Sequence, residues 1–537
     1  MARTPLLTEI QRLAAHLERQ MSRREFIKVT GAAVGAAAVT GPIAALAATP
    51  PRIAIVGGGI AGLNAALTLQ DAGIASTVYE ASNRVGGRMH SDSPLTNPNG
   101  TSTWDNDQTS EHCGELIDSG HKTILKLANR FNLPTVDLLG AEPIQSSETY
   151  YFFGQYYPRA QAIADFKPVY NAVHKDMSAA GYPTTYKIHT DAGVALDQMS
   201  VYDWIETRVP GGHTSPMGQL LDVAYNIEYG NVSTVQSSLN LIYLLAFQPV
   251  PGNFRIFGAS DERYHIAGGN EQLPKKIYAS LPQGSVKLNT ALTAIAINAD
   301  GSHNLSFSSP TGPFTSTVDR VILALPFSVL RTLNYRRANF DKLKVTAITE
   351  LGYGANAKLQ LQFHTRYWND PAGPWVPYVG ISNGSSYADT GYQNTWDVTR
   401  GQTGGTGILV DYTGGGVPLA SFRGQPTTAD ALSYAQTFLN ELEPVFPHIK
   451  DHWNGRATLD TPLTNPYLLG SYSYWKVGQY VKFSGYEKAR QPFPNGKCHF
   501  AGEHCSQDFQ GFMEGGASEG ARAAGEILAD YKVGIFP

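Results

Sequence analysis

Gly57, Gly59 and Gly62 stand in GxGxxG spacing, and an acid, Glu80, follows 23 residues after the first of them. Residue types in that pattern can hold a dinucleotide. One glycine permits a tight turn, one lets the backbone approach a pyrophosphate, and one lets the following helix pack on the preceding strand. The helix N-terminus meets the phosphates with free N–H groups and its dipole. Glu80 can accept hydrogen bonds from both hydroxyls of a ribose. An acid rather than an arginine there suits an unphosphorylated ribose, so NAD or FAD rather than NADP.

The flanking residues supply the elements such a turn needs. Residues 52–56 form a short run rich in Ile and Val, as a buried parallel strand should. Ile60–Asp71 has helical periodicity through Leu63, Ala66 and Leu67 and stops at Ala72-Gly73. Residues 75–79 read as a second strand, with Glu80 at its end. Residues 321–325 read as another buried strand, terminated by Pro326. Between residues 133 and 257 the βαβ rhythm disappears. Helices are expected there over 216–229 and 235–247, and the Gly-rich stretch 401–416 reads as a loop.

The residues just after Glu80 narrow the cofactor. Arg84-Val85-Gly86-Gly87-Arg88 resembles the RxGGR signature of the flavin amine oxidase superfamily. Three further stretches resemble that family in its own order: His265 to Leu273, Leu469 to Trp475, and Phe500 to Ala524. The resemblance implies an α/β fold: a Rossmann-like FAD-binding domain of the glutathione-reductase type with an interleaved α+β substrate domain. It divides the chain into 49–115, 258–335 and 462–537 for FAD, and 116–257 and 336–461 for substrate. Arg88 is implied to contact the pyrophosphate and Val286 to lie near the adenine. Glu503 is implied at the ribityl or phosphate end, with the Met513 N–H at a helix start facing the flavin pyrimidine oxygens. Ile60, Ala61, Ala81, Gly114, Glu115, Trp475 and Gly511 complete the implied cofactor set. Ser471 stands where monoamine oxidases carry the cysteine joined to flavin, so noncovalent FAD is expected.

The catalytic candidates follow from the same resemblance. Lys358, in a strand-like run, matches the lysine that holds a water against the flavin. A positive group suits the place where reduced oxygen species develop, and a desolvated lysine can trade protons because burial lowers its pKa. A lysine snorkelling from a surface strand is the bland alternative. Tyr472 and Phe512 match the two walls of the family's aromatic cage, although both residue types also serve as core packing. L-amino acid oxidases of the snake-venom type carry an arginine for the substrate carboxylate where Ile117 stands here, which favours a plain amine. Glu228 is considered for a substrate cation, but a capped or solvated helix residue is the simpler account.

The expected reaction is removal of hydride from the carbon bearing an amine, giving an imine, then aldehyde or keto acid with ammonia, and hydrogen peroxide from molecular oxygen. The alternatives are an L-amino acid oxidase, a flavin dehydrogenase serving a quinone or periplasmic acceptor, and an oxidase of the carotenoid or porphyrin kind. The 537 residues, 42% of them apolar and 16% charged, fit a folded protein of about two domains. A net charge of −4 with no basic stripe makes nucleic acid an unexpected partner. Three cysteines are too few for a disulfide framework, and no spacing suggests a metal site.

At the N-terminus, Ser22-Arg23-Arg24-Glu25-Phe26-Ile27-Lys28 resembles the twin-arginine export motif. A weak Ala/Gly-rich apolar run and a small-x-small site at Ala45-Leu46-Ala47 follow it. Residues 1–48 are thus expected to be a signal peptide read by the twin-arginine translocase, with a periplasmic or secreted bacterial product. Residues 5–20 place apolar side chains on one helical face, which is either a long leader or sequence ahead of a start at Met21. A homodimer is also considered.

Overall fold

The computed structural model describes residues 51–248, 254–416, 422, 428–492 and 496–532. The twin-arginine motif and the stretch 5–20 lie outside the described residues. Ile53–Val56 is buried at every position, as is Arg320–Leu323. Strands buried on both faces belong in the middle of a parallel sheet. They do so here, in a five-stranded sheet ordered Cys498–Phe500, Arg320–Leu323, Ile53–Val56, Thr77–Tyr79, Val286–Lys287, every pair of which is parallel. All five strands come from the segments expected for FAD. Ile60–Asp71 covers this sheet and receives the C-terminal helix Met513–Lys532. Asn64 Nδ2 donates to the Ala517 carbonyl at 2.7 Å across that helix pair. A Cβ at Gly520 would stand 2.0 Å from the Ala61 carbonyl, so the two backbones can approach this closely only because glycine is there.

The second layer is a seven-stranded sheet drawn from distant parts of the chain. Its order is Trp453–Asp460, Ala357–Phe363, Gly407–Thr413, Asn394–Asp397, Ser382–Ala388, Ser147–Phe152, Gln155–Tyr156. Every pair is antiparallel except Ser147–Phe152 with Ser382–Ala388. Ala357–Phe363 is buried throughout, yet it alternates apolar and polar side chains. Period-two geometry sends these to opposite faces. Leu359, Leu361 and Phe363 join a core that includes Ala435, Phe438 and Leu439 of the helix Thr428–Leu442. Lys358, Gln360 and Gln362 face the other way, toward residues 105–115, where each finds a hydrogen-bond partner.

Register decides which residues accompany Lys358. It stands opposite Asp460 on one side and Tyr412 on the other. Tyr412 stands opposite Asn394, Asn394 opposite Tyr387, and Tyr387 opposite Tyr150. Residues paired across strands share a face, so Asp460, Lys358, Tyr412, Asn394, Tyr387 and Tyr150 form one row. Trp396, two residues beyond Asn394, lies on the same face.

Helix Pro216–Tyr229 has Pro at its first turn, a Ser215 side chain accepting from Gly218 N at 3.1 Å, and Gly230 at φ 66° as its C-cap. The helix expected over 235–247 is shorter, Ser238–Leu245, because Ser237 caps it. Residues 117–133 depart from the expected domain division. Ile117, Ile124, Leu127, Ala128 and Leu133 pack into the core of the nucleotide layer, and Thr135–Asp137 pairs with Tyr264–Ile266. Among the described residues no helix is long and apolar enough to cross a membrane.

Candidate active site

A cavity of about 710 Å³ runs between the two sheets. At its nucleotide end lie Gly57, Gly59, Ile60 and Ala61, with Glu80, Ala81 and Arg88 beyond them. The glycines divide their work as the spacing requires. Gly57 takes φ 109°, and a Cβ on it would meet the Ala324 carbonyl at 2.6 Å. A Cβ on Gly62 would fall 1.9 Å from the Gly57 carbonyl. A Cβ on Gly59 would meet nothing nearer than 3.9 Å, so the space beside it is open for a ligand. Glu80 receives Gly58 N at 2.6 Å through one oxygen, and Ser82 N and Oγ at 2.8 and 2.7 Å through the other. The turn and the acid that faces it are therefore one hydrogen-bonded unit.

Glu503 ties the far wall together. Its carboxylate accepts from Arg88 Nη1 at 2.9 Å, Ser473 Oγ at 2.8 Å and Gly511 N at 2.8 Å. Burial pushes the Glu503 carboxyl upward, but the Arg88 guanidinium together with the hydrogen bond from Ser473 and other neighbours holds it below the usual carboxylate range. Arg88 also donates to the Ser471 carbonyl at 2.8 Å. Gly114 packs on Met513, which opens the C-terminal helix beside the cavity, and Gly511 packs on the Tyr472 ring. His504, also on the cavity wall, has both ring nitrogens buried without a hydrogen-bond partner. Burial lowers its pKa to about 3, so the ring is neutral. Unsatisfied polar atoms and an open glycine cradle at one end of a cavity fit a large polar cofactor.

The sheet row forms the opposite wall. Lys358 Nζ is 2.7 Å from Glu115 Oε2 and 3.2 Å from the Glu111 carbonyl, and lies 5.4 Å from the Trp396 ring centroid. Trp396 Nε1 donates to the other Glu115 oxygen at 2.9 Å. The lone desolvated lysine expected from the sequence is thus half of a buried ion pair. Burial would raise the Glu115 carboxyl, and Lys358 overrides it and holds it low. The Tyr472 hydroxyl lies 2.9 Å from that of Tyr412 and donates to the Ile227 carbonyl at 3.0 Å. Burial raises both phenols, so both stay protonated. Phe512 lines the cavity too, its ring tilted against His121 at 5.2 Å.

Three sequence expectations lie elsewhere. Trp475 does not line the cavity: its ring packs on Tyr480 and Phe483 in the core. Val286 is buried in the edge strand, and Thr290, Ala291 and Leu292 reach the cavity in its place. Ile117 is fully buried, its backbone bridging to Tyr264, and Leu116 lines the cavity beside it. The identity of residue 117 therefore says nothing about a substrate carboxylate. Ser471 Oγ donates to Asn356 Oδ1 at 2.6 Å. Tyr412, Asn394, Trp396 and Tyr387 were missed; Tyr412 lies in the strand Gly407–Thr413, inside the stretch 401–416 expected to be a loop, where pairing with strands on both sides overrides the flanking glycines.

A parallel sheet with a phosphate-binding turn, joined by a cavity to a separate antiparallel sheet, defines a two-layer flavoprotein oxidoreductase. The sequence model of the family described as flavin containing amine oxidoreductase matches residues 60–528, and the chain belongs to that family. It is a flavin-dependent enzyme of amine oxidation with FAD as its cofactor. An L-amino-acid oxidase of Crotalus adamanteus is 24% identical, aligned over 89% of this chain and 87% of its own. Polyamine oxidase 4 of Oryza sativa is also 24% identical, over 89% of each. Cyclohexylamine oxidase from Brevibacterium oxydans shares the fold at a TM-score of 0.74 and 18% identity, over 90% of this chain and all of its own.

Proposed function

We propose that this chain oxidises a plain amine with molecular oxygen as the electron acceptor. The observation that carries this reading is the row Lys358, Tyr412, Asn394, Tyr387, a polar wall turned toward the cofactor end of the cavity. Bound FAD supplies the acceptor for the hydride lost from the carbon bearing the amine. The Gly57–Gly62 turn, Glu80, Arg88 and the start of the Met513 helix would hold it noncovalently, since Ser471 offers no thiol. Tyr472 with Tyr412, and Phe512 across from the turn, would orient the amine nitrogen. Its lone pair forms the C=N bond as hydride leaves, and the nitrogen releases a proton. Water then replaces the imine nitrogen, and oxygen takes two electrons and two protons to give peroxide. Lys358, paired with Glu115 and set beside Trp396, would stabilise negative charge developing on oxygen.

Most cations at the substrate end already have carboxylate partners, which supports an amine rather than an amino acid. Arg400 pairs with Glu142 at 2.9 Å and Arg159 with Glu148 at 3.3 Å. One observation favours the second reading. Arg255 lines the cavity and has no ion-pair partner among the described residues, so a substrate carboxylate would find its anchor there. Anaerobic addition of amines and L-amino acids to the purified holoprotein tests both. Bleaching by alkylamines, with peroxide on admitting air, supports the first. Bleaching by amino acids alone, abolished in Arg255→Gln, supports the second. Peroxide-free turnover would require another acceptor. Acid precipitation should leave the yellow colour in the supernatant.

Export of the folded holoprotein through the twin-arginine route belongs to the same reading and rests on the Arg23-Arg24 motif. Cell fractionation of an Arg23→Lys, Arg24→Lys variant tests it. A homodimer is tested by light scattering.

A further inference from the structure

The wall around Lys358 carries an acid–base pair that neither cofactor binding nor the tyrosine row accounts for. Asp460, on the edge strand of the seven-stranded sheet, is the cross-strand partner of Lys358. Side chains so paired leave the sheet only about 5 Å apart. The Asp460 carboxylate lies 2.9 and 3.0 Å from His112 Nδ1. An ionised carboxylate can only accept, so Nδ1 carries the hydrogen and Nε2 is left as the acceptor of the ring. His112 lines the cavity. It directly follows Glu111, whose carbonyl receives Lys358 Nζ at 3.2 Å. The pair is also wetter than its neighbours. The His112 and Asp460 side chains are 22% and 19% exposed, those of Lys358 and Glu115 only 6% and 7%.

The surroundings suit a ring that changes charge. Burial lowers the His112 pKa, and Asp460, helped by Asp92 and Glu111, more than restores it. The His90 ring packs against His112 at 4.1 Å between centroids. Burial, His112 itself, Arg84 and Lys275 hold His90 at about 2, so no second imidazolium forms beside the first. Cys113, next in the chain, is pushed up to about 11 by burial and stays a thiol. Other groups on the cavity wall are poor proton acceptors. Burial lowers His504 to about 3 and raises the Tyr412 and Tyr472 phenols.

An alkylamine arrives from neutral water as its ammonium ion, and its nitrogen has no lone pair until one N–H bond breaks. An alkylammonium and molecular oxygen give an iminium and hydrogen peroxide. The hydride from carbon and the proton from nitrogen become the two hydrogens of peroxide, so atoms and charge balance with no proton drawn from water. We infer that His112 is a catalytic proton carrier: its Nε2 takes the ammonium proton, directly or across one water, and returns it when oxygen is reduced beside Lys358. Asp460 is its positioning residue, fixing the tautomer and favouring the imidazolium. The inference rests on the oxidation of an amine by oxygen in this cavity.

The test separates the two halves of the cycle in purified holoenzyme. Anaerobic bleaching of the flavin by n-alkylamines should speed up as pH rises through the His112 titration. Reoxidation of chemically reduced enzyme by oxygen, with no amine present, should slow down through the same titration. His112→Gln should slow each step about 100-fold and remove both limbs. Asp460→Asn should keep both limbs and move them to lower pH, because the carboxylate no longer favours the charged ring. The His112 ring resonance, assigned by its disappearance in His112→Gln, should titrate above the ordinary imidazole value in wild type and lower in Asp460→Asn. Flavin content and melting temperature confirm that both variants fold. Unchanged rates and limbs in His112→Gln would overturn the inference and leave amine oxidation standing. Slower rates with both limbs intact would make the pair a structural tie and overturn it as well. Loss of one limb without the other would overturn the return of the proton. Failure of every amine to bleach the flavin would overturn the amine reading itself.

Discussion

On the nucleotide side of the cavity, the groups offered to a cofactor are largely backbone, held by glycines and by one buried carboxylate. On the substrate side they are side chains, held by the register of an antiparallel sheet. The first arrangement is local: Gly57, Gly59 and Gly62 work within six residues, and Glu80 joins them across one strand. The second is distributed: Lys358, Tyr412, Asn394 and Tyr387 meet only after four strands align. A phosphate site of backbone groups tolerates few substitutions. A row of side chains can be rewritten one residue at a time, which lets one scaffold accept different amines.

If that contrast is right, damage on the nucleotide side should abolish cofactor binding outright. Gly62→Val places a side chain 1.9 Å from the Gly57 carbonyl and should yield colourless protein; a normal flavin spectrum in that variant would break the comparison at its root. Glu503→Gln comes next. It leaves Arg88 without its buried charge partner, at a cost of about 3 kcal/mol, and FAD titration should show affinity weakened on the order of 100-fold. The pH dependence follows from the depressed Glu503 carboxyl. Its contribution is complete above the unfolded carboxylate pKa and is lost as pH falls through the lower folded value. Acid should therefore loosen flavin in the wild type with a component that Glu503→Gln lacks.

Substrate-side changes should leave the flavin in place. Lys358→Met should slow reoxidation by oxygen roughly tenfold and lower stability by stranding Glu115. Adding Glu115→Gln should recover stability but not the oxygen rate, and recovery of both would mean that Lys358 only neutralises its partner. Glu262, on the same side, has a folded pKa of about 7, raised by burial and by Asp118 against the opposing pull of Arg400. The native state then binds more protons than the unfolded chain between about pH 4.5 and 7, so wild-type stability falls over that window. Glu262→Gln should melt higher than the wild type above pH 7 and equally at pH 4; a constant difference would mean the carboxylate does not titrate in that range.

The same contrast explains what could be read from the residue order. The Gly57–Glu80 unit, the RxGGR turn and the Glu503–Met513 stretch are contiguous, so their types and spacing reveal them. The row could not be read that way, because nothing in a linear sequence states that Lys358 faces Tyr412, or that Asn394 stands beside Tyr412. Lys358 was visible as a lysine in a strand, but its partner Glu115 stood 243 residues away and had been assigned to the cofactor. Trp475 was misjudged for a related reason. An aromatic residue beside a cofactor motif reads the same whether its ring enters the cavity or, as here, turns back onto Tyr480. Ile117 failed because a backbone bridge to Tyr264 rotates it into the core.

Glu503 joins Arg88, Ser473 and Gly511, segments contributed by three widely separated stretches, the last close to the C-terminus. Cys498–Phe500 is also an edge strand of the parallel sheet, and Met513–Lys532 the helix that lies on Ile60–Asp71. A chain still emerging from the ribosome has made its glycine turn long before it owns the wall that closes over it. Retention of flavin should therefore report that the stretch 498–532 has docked.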